Sequence, residues 1–105
     1  MMAASSHDRD AQVRNALAAQ GDDGSKPRHT LFYFYGGDFR ALGNQARAAG
    51  YDVRPTVNDD GVVLETTTAV DDRSFESHSK RMEDWAEEFG CEYDGWECQV
   101  VKAVQ

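Results

Sequence analysis

Glu92-Tyr93-Asp94-Gly95-Trp96-Glu97-Cys98, near the C-terminus, is the segment from which the architecture of this chain is best inferred. Its two large aromatic residues stand on either side of an Asp-Gly pair. Asp-Gly favours a turn or a β-bulge, because glycine adopts positive φ at no steric cost. The segment therefore predicts the last strand of a sheet, running from residue 92 to about residue 104, with Tyr93 and Trp96 arranged around a backbone irregularity. An ordinary strand entering the core is the simpler alternative.

Helical periodicity precedes this strand. A long helix is predicted to begin at Asp71 or Asp72 and to end at Gly90, because apolar residues recur every three or four positions between them. Its inward-facing residues are Phe75, His78, Met82, Trp85 or Ala86, and Phe89. Before the helix, residues 62–70 form a predicted β-branched strand. A hairpin loop at residues 58–61 joins it to an antiparallel strand at residues 51–57, where Pro55 lacks a ladder donor and so indicates an edge position.

The first half of the chain repeats this alternation. Asp38 is predicted to cap a helix that ends at Gly50, with an apolar stripe formed by Phe39, Leu42, Ala46 and Ala49. The aromatic run at residues 29–35 is apolar on both faces and predicts a central strand. Residues 8–20 predict a short helix closed by a glycine, and a polar loop follows at residues 21–27.

After the short N-terminal helix, the predicted order is β-α-β-β-α-β. This order predicts an α+β fold of the ferredoxin-like βαββαβ sandwich type, with a four-stranded antiparallel sheet and two helices on one face. Right-handed crossovers place the first and third strands in the centre and the second and fourth at the edges. The other face of the sheet would then be open. We expect the N-terminal helix or a dimer mate to cover it.

The chain has 105 residues, which predicts one domain spanning residues 1–105, with residues 1–7 expected to be flexible. Its net charge of −8 is unevenly distributed. Residues 1–55 hold seven Lys or Arg and six Asp or Glu, a net charge of +1, whereas residues 56–105 hold four and thirteen, a net charge of −9. Such a surface disfavours nucleic acid and favours a cationic protein partner, although solubility alone also explains it.

The two cysteines, Cys91 and Cys98, are too few for a structural zinc site and too far apart for a redox Cys-x-x-Cys motif. We expect buried thiols in a reducing compartment. The N-terminal residues show no basic stretch leading into an apolar run, and eighteen apolar residues never run together. These patterns predict a cytoplasmic protein.

Chemistry-bearing motifs are weak throughout the sequence. His78 lies on an inward helix stripe and is interpreted as a core or boundary residue, while His7 and His29 stand alone. The loop at residues 58–61 lacks the alternating aspartates of a calcium loop and has Ala69 at its twelfth position. The sequence therefore predicts no catalytic residue, no metal and no cofactor.

The end of the last helix breaks a rule of helix stability. Asp84, Glu87 and Glu88 crowd its final turn without a Lys or Arg, although the negative end of the helix dipole disfavours carboxylates. A Glu76–Lys80 pair, together with Lys80 and Arg81 against Glu83 and Asp84, is predicted to offset some of this charge earlier in the helix. With the acids of the last strand following directly, the pattern favours a surface for a basic partner. A solvated helix end is the alternative.

Several of these motifs resemble the regulator of ribonuclease E activity B (RraB) family over roughly residues 8–101. The matching features are Gly24-Ser25, the aromatic first strand, Gly50-Tyr51-Asp52-Val53, and above all Glu92-Tyr93-Asp94-Gly95-Trp96 after Phe89-Gly90-Cys91. The resemblance implies a ferredoxin-like fold and a cytoplasmic bacterial protein without catalytic activity that inhibits the endonuclease ribonuclease E by binding it.

If that role applies, the contact is predicted on the acidic surface of the last helix and strand, with the two aromatics positioning or anchoring it. The predicted partner-binding residues are Asp84, Glu87, Glu88, Glu92, Tyr93, Asp94, Trp96 and Glu97.

Two other classes of function remain open. An RNA-binding module would use aromatic residues on an open sheet face, here either Phe32 and Phe34 or Tyr33 and Tyr35. Such modules surround these aromatics with Lys and Arg, which this chain lacks. A small-molecule site would require a pocket, with the surroundings of Trp96 as the candidate place.

Overall fold

The computed structural model describes residues 6–101, apart from the side chains of residues 6–11, 72 and 74. The elements are α1 (Ser6–Ala18), β1 (Arg28–Tyr35), α2 (Phe39–Ala48), β2 (Asp52–Pro55), β3 (Gly61–Thr68), α3 (Asp72–Phe89) and β4 (Glu92–Cys98). Residues 1–5 of the segment expected to be flexible lie outside the described residues, whereas residues 6 and 7 belong to α1.

The four strands form one antiparallel sheet in the order β2-β3-β1-β4. The first and third strands are central and the other two lie at the edges, which confirms the ferredoxin-like α+β prediction. Helices α2 and α3 cover one face of this sheet. Their apolar stripes meet the inward residues of β1 in one core, built around Phe32, Phe34, Leu42, Phe75 and Met82, each fully buried.

The Asp94-Gly95 pair forms a β-bulge in β4. On β1, Tyr33 faces Gly95 and Phe34 faces Tyr93, so Asp94 is an extra residue in the ladder. Gly95 has a φ of +104°, which side-chain-bearing residues rarely adopt. Residues three apart in a regular strand lie on opposite faces, but the bulge restores both Tyr93 and Trp96 to the core face.

The two aromatics flanking the bulge pack tightly in the core. The Tyr93 ring stacks on Phe34 with centroids 5.0 Å apart, and the Trp96 ring lies 4.3 Å from Phe75. Their exposed fractions are 8% and 7%. The bulge therefore converts an awkward spacing into a continuous aromatic layer between β1, β4 and α3.

The N-terminal helix does not cover the open face of the sheet, so that part of the prediction was wrong. Helix α1 packs against α3 and β4 instead. Leu17 joins the same core as the other helices, Val13 packs beside it, and Arg14 donates a 2.8 Å hydrogen bond to the carbonyl of Val70. Helix α1 has few apolar side chains, and Leu17 and Val13 pack against the part of the core beside α3 and β4.

Three strand boundaries differ from the predictions. Strand β2 ends at Pro55, so Val57, which the predicted strand at residues 51–57 included, is fully exposed in the loop. Strand β3 runs over Gly61–Thr68 rather than to Val70, because the Val70 amide donates to the carbonyl of Gly24. Strand β4 ends at Cys98 rather than near residue 104, although residues 102–104 lie outside the described part.

Helix termini follow the predicted capping. The Asp38 carboxylate accepts from the Ala41 amide at the start of α2, and Gly90 ends α3 in the left-handed conformation. Asp71 occupies the N-cap position of α3, but its side chain makes no capping hydrogen bond. The sequence therefore predicted the position of this N-cap correctly, but the side-chain hydrogen bond expected of a capping aspartate is not formed.

A buried ion pair ties the loop after α1 to the sheet, and the sequence analysis missed it. Asp22 and Arg28 are each only 2% exposed and pair through two contacts of 2.5 and 2.9 Å. The carboxylate also accepts from the amides of Gly24 and Val101, and Arg28 donates to the carbonyl of Gln99. These hydrogen bonds hold the pKa of Asp22 well below its usual range, chiefly through Arg28.

We expect Gly95→Ala to lower the free energy of unfolding by about 1–2 kcal/mol, because an alanine at this positive φ strains the bulge. Urea denaturation followed by tryptophan fluorescence measures the change. Asp94→Ala, at the exposed residue of the same bulge, is the control and should stay within about 0.5 kcal/mol of the wild type. Equal stability of the two variants would contradict the bulge assignment.

Asp22→Asn should lower the free energy of unfolding at neutral pH by about 3–5 kcal/mol, because it leaves the Arg28 guanidinium buried without a counter-charge. The folded state holds the pKa of Asp22 below its unfolded value. The stabilisation from ionised Asp22 is therefore present above the unfolded pKa and is lost as pH falls below about 4. The variant should lose less stability than the wild type over that acid range. Asp23→Asn, at the exposed neighbouring residue, is the matched control.

Candidate functional site

The exposed carboxylates at the end of α3 and the start of β4 form what we call the acidic surface: Asp84, Glu87, Glu88, Glu92 and Asp94. All five are exposed, and the last turn of α3 contains no basic residue. The Cys91 amide donates a 2.9 Å hydrogen bond to the Ala86 carbonyl, which folds the start of β4 back against the helix end. Five of the eight predicted partner-binding residues are thus exposed on two consecutive elements, the end of α3 and the start of β4.

Only one member of the acidic surface has an ion pair among the described side chains. Asp84 lies 3.7 Å from Lys80, and both side chains are more than half exposed, so the pair contributes little. This contact is one of the predicted pairings of Lys80 and Arg81 with Glu83 and Asp84, whereas the predicted Glu76–Lys80 ion pair is not formed among the described side chains. The other four carboxylates form no ion pair with any described residue, which leaves their charge available to solvent or to a partner.

The remaining three predicted residues lie elsewhere. Tyr93 and Trp96 are in the core, so their side chains offer almost no surface to a partner. Glu97 pairs with Leu31 in the ladder and therefore lies on the open face of the sheet, where it accepts a hydrogen bond from the Tyr33 hydroxyl. That bond raises the pKa of Tyr33 to about 12, because ionising the phenol beside a carboxylate is unfavourable.

The open face of the sheet carries half-buried tyrosines next to the carboxylates of Glu65 and Glu97. Tyr33 and Tyr35 lie on this face, whereas Phe32 and Phe34 face the core and cannot stack on a base. Glu65 on β3 is held between Arg54, at 2.6 Å, and His29, at 3.1 Å. The one guanidinium on this face is therefore already paired with a carboxylate, which does not favour an RNA backbone. That a second copy covers this face stays a prediction.

His78 belongs to an aromatic cluster at the boundary of the core, which agrees with its interpretation from sequence. Its Nδ1 atom lies 2.6 Å from the Tyr51 hydroxyl, and its ring stacks on Phe32. Arg81 lies over the rings of Tyr51 and Trp85. Burial, assisted by the charge of Arg81, lowers the pKa of His78. The histidine is thus kept neutral near pH 7 and contributes to packing.

Neither cysteine is paired in a disulfide, and both are half-buried. Burial raises the pKa of Cys91 and of Cys98, which keeps the thiols protonated and poorly nucleophilic. The described side chains include no group of three His, Cys, Asp or Glu placed to hold a metal ion. Within the same residues, each helix is too short or too polar to cross a bilayer.

A groove of about 350 Å³ between α2 and the β2 edge was not foreseen from the sequence. Arg40 and Arg47 of α2 and Arg54 of β2 line it, together with Asn44 and Asp59. The only sequence signal was the spacing of four and three residues that places Arg40, Asn44 and Arg47 on one helix face. The β2 wall comes from another element, which periodicity within α2 does not reveal, and the Arg54 guanidinium itself lies on the open face with Glu65.

Comparisons with known proteins identify one family. A model of the family described as regulator of ribonuclease activity B matches residues 7–98 of the chain. A search of curated proteins found no match to the chain. The matched region spans all seven helices and strands except the first residue of α1.

Proposed function

The chain belongs to the regulator of ribonuclease activity B family, and on this basis we propose that it binds a ribonuclease of the ribonuclease E type and inhibits RNA cleavage without catalysing a reaction itself. The family description supports a regulatory role. The mode of binding that we propose is contact between the acidic surface and a basic segment of the enzyme, in the bacterial cytoplasm.

One observation carries this proposal: Glu87 and Glu88 lie exposed at the negative end of the α3 dipole and form no ion pair with described residues. The same holds for the exposed Glu92 and Asp94 in β4, which follows directly. At an exposed site each carboxylate in the last turn of a helix costs about 0.3–1 kcal/mol. Stability alone would favour Lys or Arg there. A surface that accepts this cost is well suited to binding a cationic polypeptide.

The chemistry of the surface indicates the kind of partner. Exposed carboxylates attract Lys and Arg side chains over a distance of about 8 Å at physiological salt, and this attraction mainly raises the association rate. A flexible basic segment can follow the corner between the helix end and the edge strand. We therefore expect the contacted part of the ribonuclease to be rich in Lys and Arg.

Tyr93 and Trp96 support the contact from within. Both rings are fixed in the core by Phe34 and Phe75, and the bulge between them carries Asp94 outward. Rigid support reduces the entropy lost on binding. In this proposal the two aromatics position the acidic surface and do not touch the partner.

The test is cleavage of a short RNA by purified ribonuclease E in the presence of increasing amounts of this protein. Glu87→Lys/Glu88→Lys should require at least about tenfold more protein for half-inhibition, because it replaces attraction by repulsion at the contact. Inhibition by the wild type should also weaken as salt rises.

Asp52→Lys/Glu76→Lys is the matched control, since it reverses two exposed charges outside the acidic surface. It should inhibit like the wild type, and circular dichroism should show that both double variants are folded. Equal inhibition by both variants, or an equal loss in both, would exclude the acidic surface as the contact. Absence of inhibition by the wild type would exclude the regulatory role itself.

A further inference from the structure

We propose that a pocket on the open face of the sheet receives an apolar side chain from the same basic segment that the acidic surface binds. Tyr33, Tyr35, Pro55, Val57 and Val63 line this pocket, which we call the tyrosine pocket, and its volume is about 300 Å³. The proposal rests on the proposed function, because it adds an apolar anchor to the basic partner segment. The anchor has the chemistry of leucine or phenylalanine.

The tyrosine pocket lies beside the acidic surface. Tyr35, the last residue of β1, pairs with Glu92, the first residue of β4, and paired residues of antiparallel strands share one face. Three residues after Tyr35, the Asp38 amide donates a 2.9 Å hydrogen bond to the Phe89 carbonyl at the end of α3. The wall of the pocket is therefore one turn of chain away from the acidic helix end, and Glu92 borders both regions.

The interior of the tyrosine pocket is apolar. Val63 pairs with Tyr33 and so lies on the open face, and its exposed fraction of 5% makes it the floor of the pocket. Val57 stands at the rim with its side chain fully exposed. A single exposed valine is ordinary on a protein surface. At the rim of an apolar pocket, however, it enlarges the surface that an apolar side chain of a partner can cover.

The loop that carries Val57 is fixed by its own hydrogen bonds. The Thr56 hydroxyl donates to the Asp60 carboxylate at 2.7 Å, and the Asp59 amide donates to the Thr56 carbonyl at 3.0 Å. The Asp60 carbonyl accepts from the Gly36 amide at 3.0 Å, which ties the loop to the end of β1. Because the loop is ordered before binding, less conformational entropy is lost when Val57 meets a partner.

The charged groups that line the tyrosine pocket are already engaged within the protein. Arg54 is held by Glu65 at 2.6 Å, and the Asp60 carboxylate accepts the hydroxyl hydrogen bond of the loop. A pocket whose charges are satisfied in this way gains most from burying an uncharged apolar side chain. The Lys and Arg residues of the segment are attracted instead to Glu92, which forms no ion pair among the described residues.

The charge of the open face favours a basic segment over a second copy of the chain. Asp52, Glu65, Glu92 and Glu97 lie on this face with Arg54, a net charge of −3 with histidine neutral. A second copy would bring two such faces together, and like charges placed opposite each other oppose association. A segment that contains Lys or Arg is attracted by the same carboxylates.

The sheet also sets the spacing between the basic residue and the apolar anchor. Glu92 and Val63 are separated by two strand spacings of about 4.8 Å and by two residues along the strand, which together give about 12 Å. An extended chain covers this distance in about three or four residues. We therefore expect a Lys or Arg three or four positions from the anchor.

The experiment is a titration of ¹⁵N-labelled full-length protein, followed by NMR, with the peptide Lys-Lys-Ser-Ser-Phe-Lys-Lys as the probe. The matched peptide has Ser in place of Phe and the same charge. Both should shift residues 87–94, but only the Phe peptide should shift residues 33–35 and 55–63, and it should bind at least about fivefold tighter. Equal affinities, or Phe-dependent shifts elsewhere, would overturn the proposal.

Three variants test the pocket itself. Tyr35→Thr removes one aromatic wall while keeping a residue that suits a strand, and should weaken binding of the Phe peptide about fivefold. Val57→Ser should weaken it about twofold, and its exposed position leaves the fold intact. Val100→Ser is the matched control, since Val100 is the other large apolar residue found exposed among the described ones, and it should leave binding unchanged. Equal effects of the two valine variants would contradict the assignment.

Inhibition of ribonuclease E separates this proposal from the previous one. If Glu87→Lys/Glu88→Lys loses inhibition and Tyr35→Thr retains it, the pocket is excluded and the acidic surface stands, and the reverse result excludes the acidic surface alone. If the wild type does not inhibit, the peptide titration still decides whether the pocket binds. Sedimentation equilibrium should show a monomer. A dimer that Tyr35→Thr dissociates would overturn the proposal in favour of a second copy.

Discussion

The packing of Tyr93 and Trp96 on one face of β4 is the constraint on which the rest of the structure depends. Residues three apart in a regular strand face opposite ways, and only an extra residue between them brings both rings to the core. Asp94 is that residue, and Gly95 supplies the backbone conformation. Without the bulge, one ring would leave the core, and either the packing of Tyr93 on Phe34 or that of Trp96 on Phe75 would be lost.

The same constraint connects folding to the proposed function. Because the rings point inward, the bulge residue Asp94 is exposed, in the strand that directly follows the acidic end of α3. The second charged region, the arginine groove, arises at the other edge of the sheet, where α2 crosses β2. The two regions meet in the helix layer, because the Asp38 amide donates to the Phe89 carbonyl and so brings the start of α2 beside the end of α3.

The sequence predicted those features that are encoded locally. The stripes of α2 and α3, the glycine end of α3 and the central position of β1 follow from periodicity and capping, and so does the acidic end of α3. Features that depend on distant partners were missed. The Asp22–Arg28 pair requires the end of the chain to return to the first loop, and β3 is shortened by the carbonyl of Gly24. The arginine groove is formed by two elements, α2 and β2. The position of α1 depends on which part of the core the other elements leave exposed to solvent.

Both outer strands of the sheet are interrupted, and this limits how the molecule can associate with others. Strand β2 has only four residues and ends at Pro55, which has no amide hydrogen to offer, and the hydrogen-bond row of β4 is broken by the bulge. An extended peptide, or the edge of a second sheet, needs an unbroken row of backbone donors and acceptors to align with. Association by strand addition is therefore disfavoured at both edges, and recognition of this protein must rely on side chains, where single charge reversals can change the choice of partner.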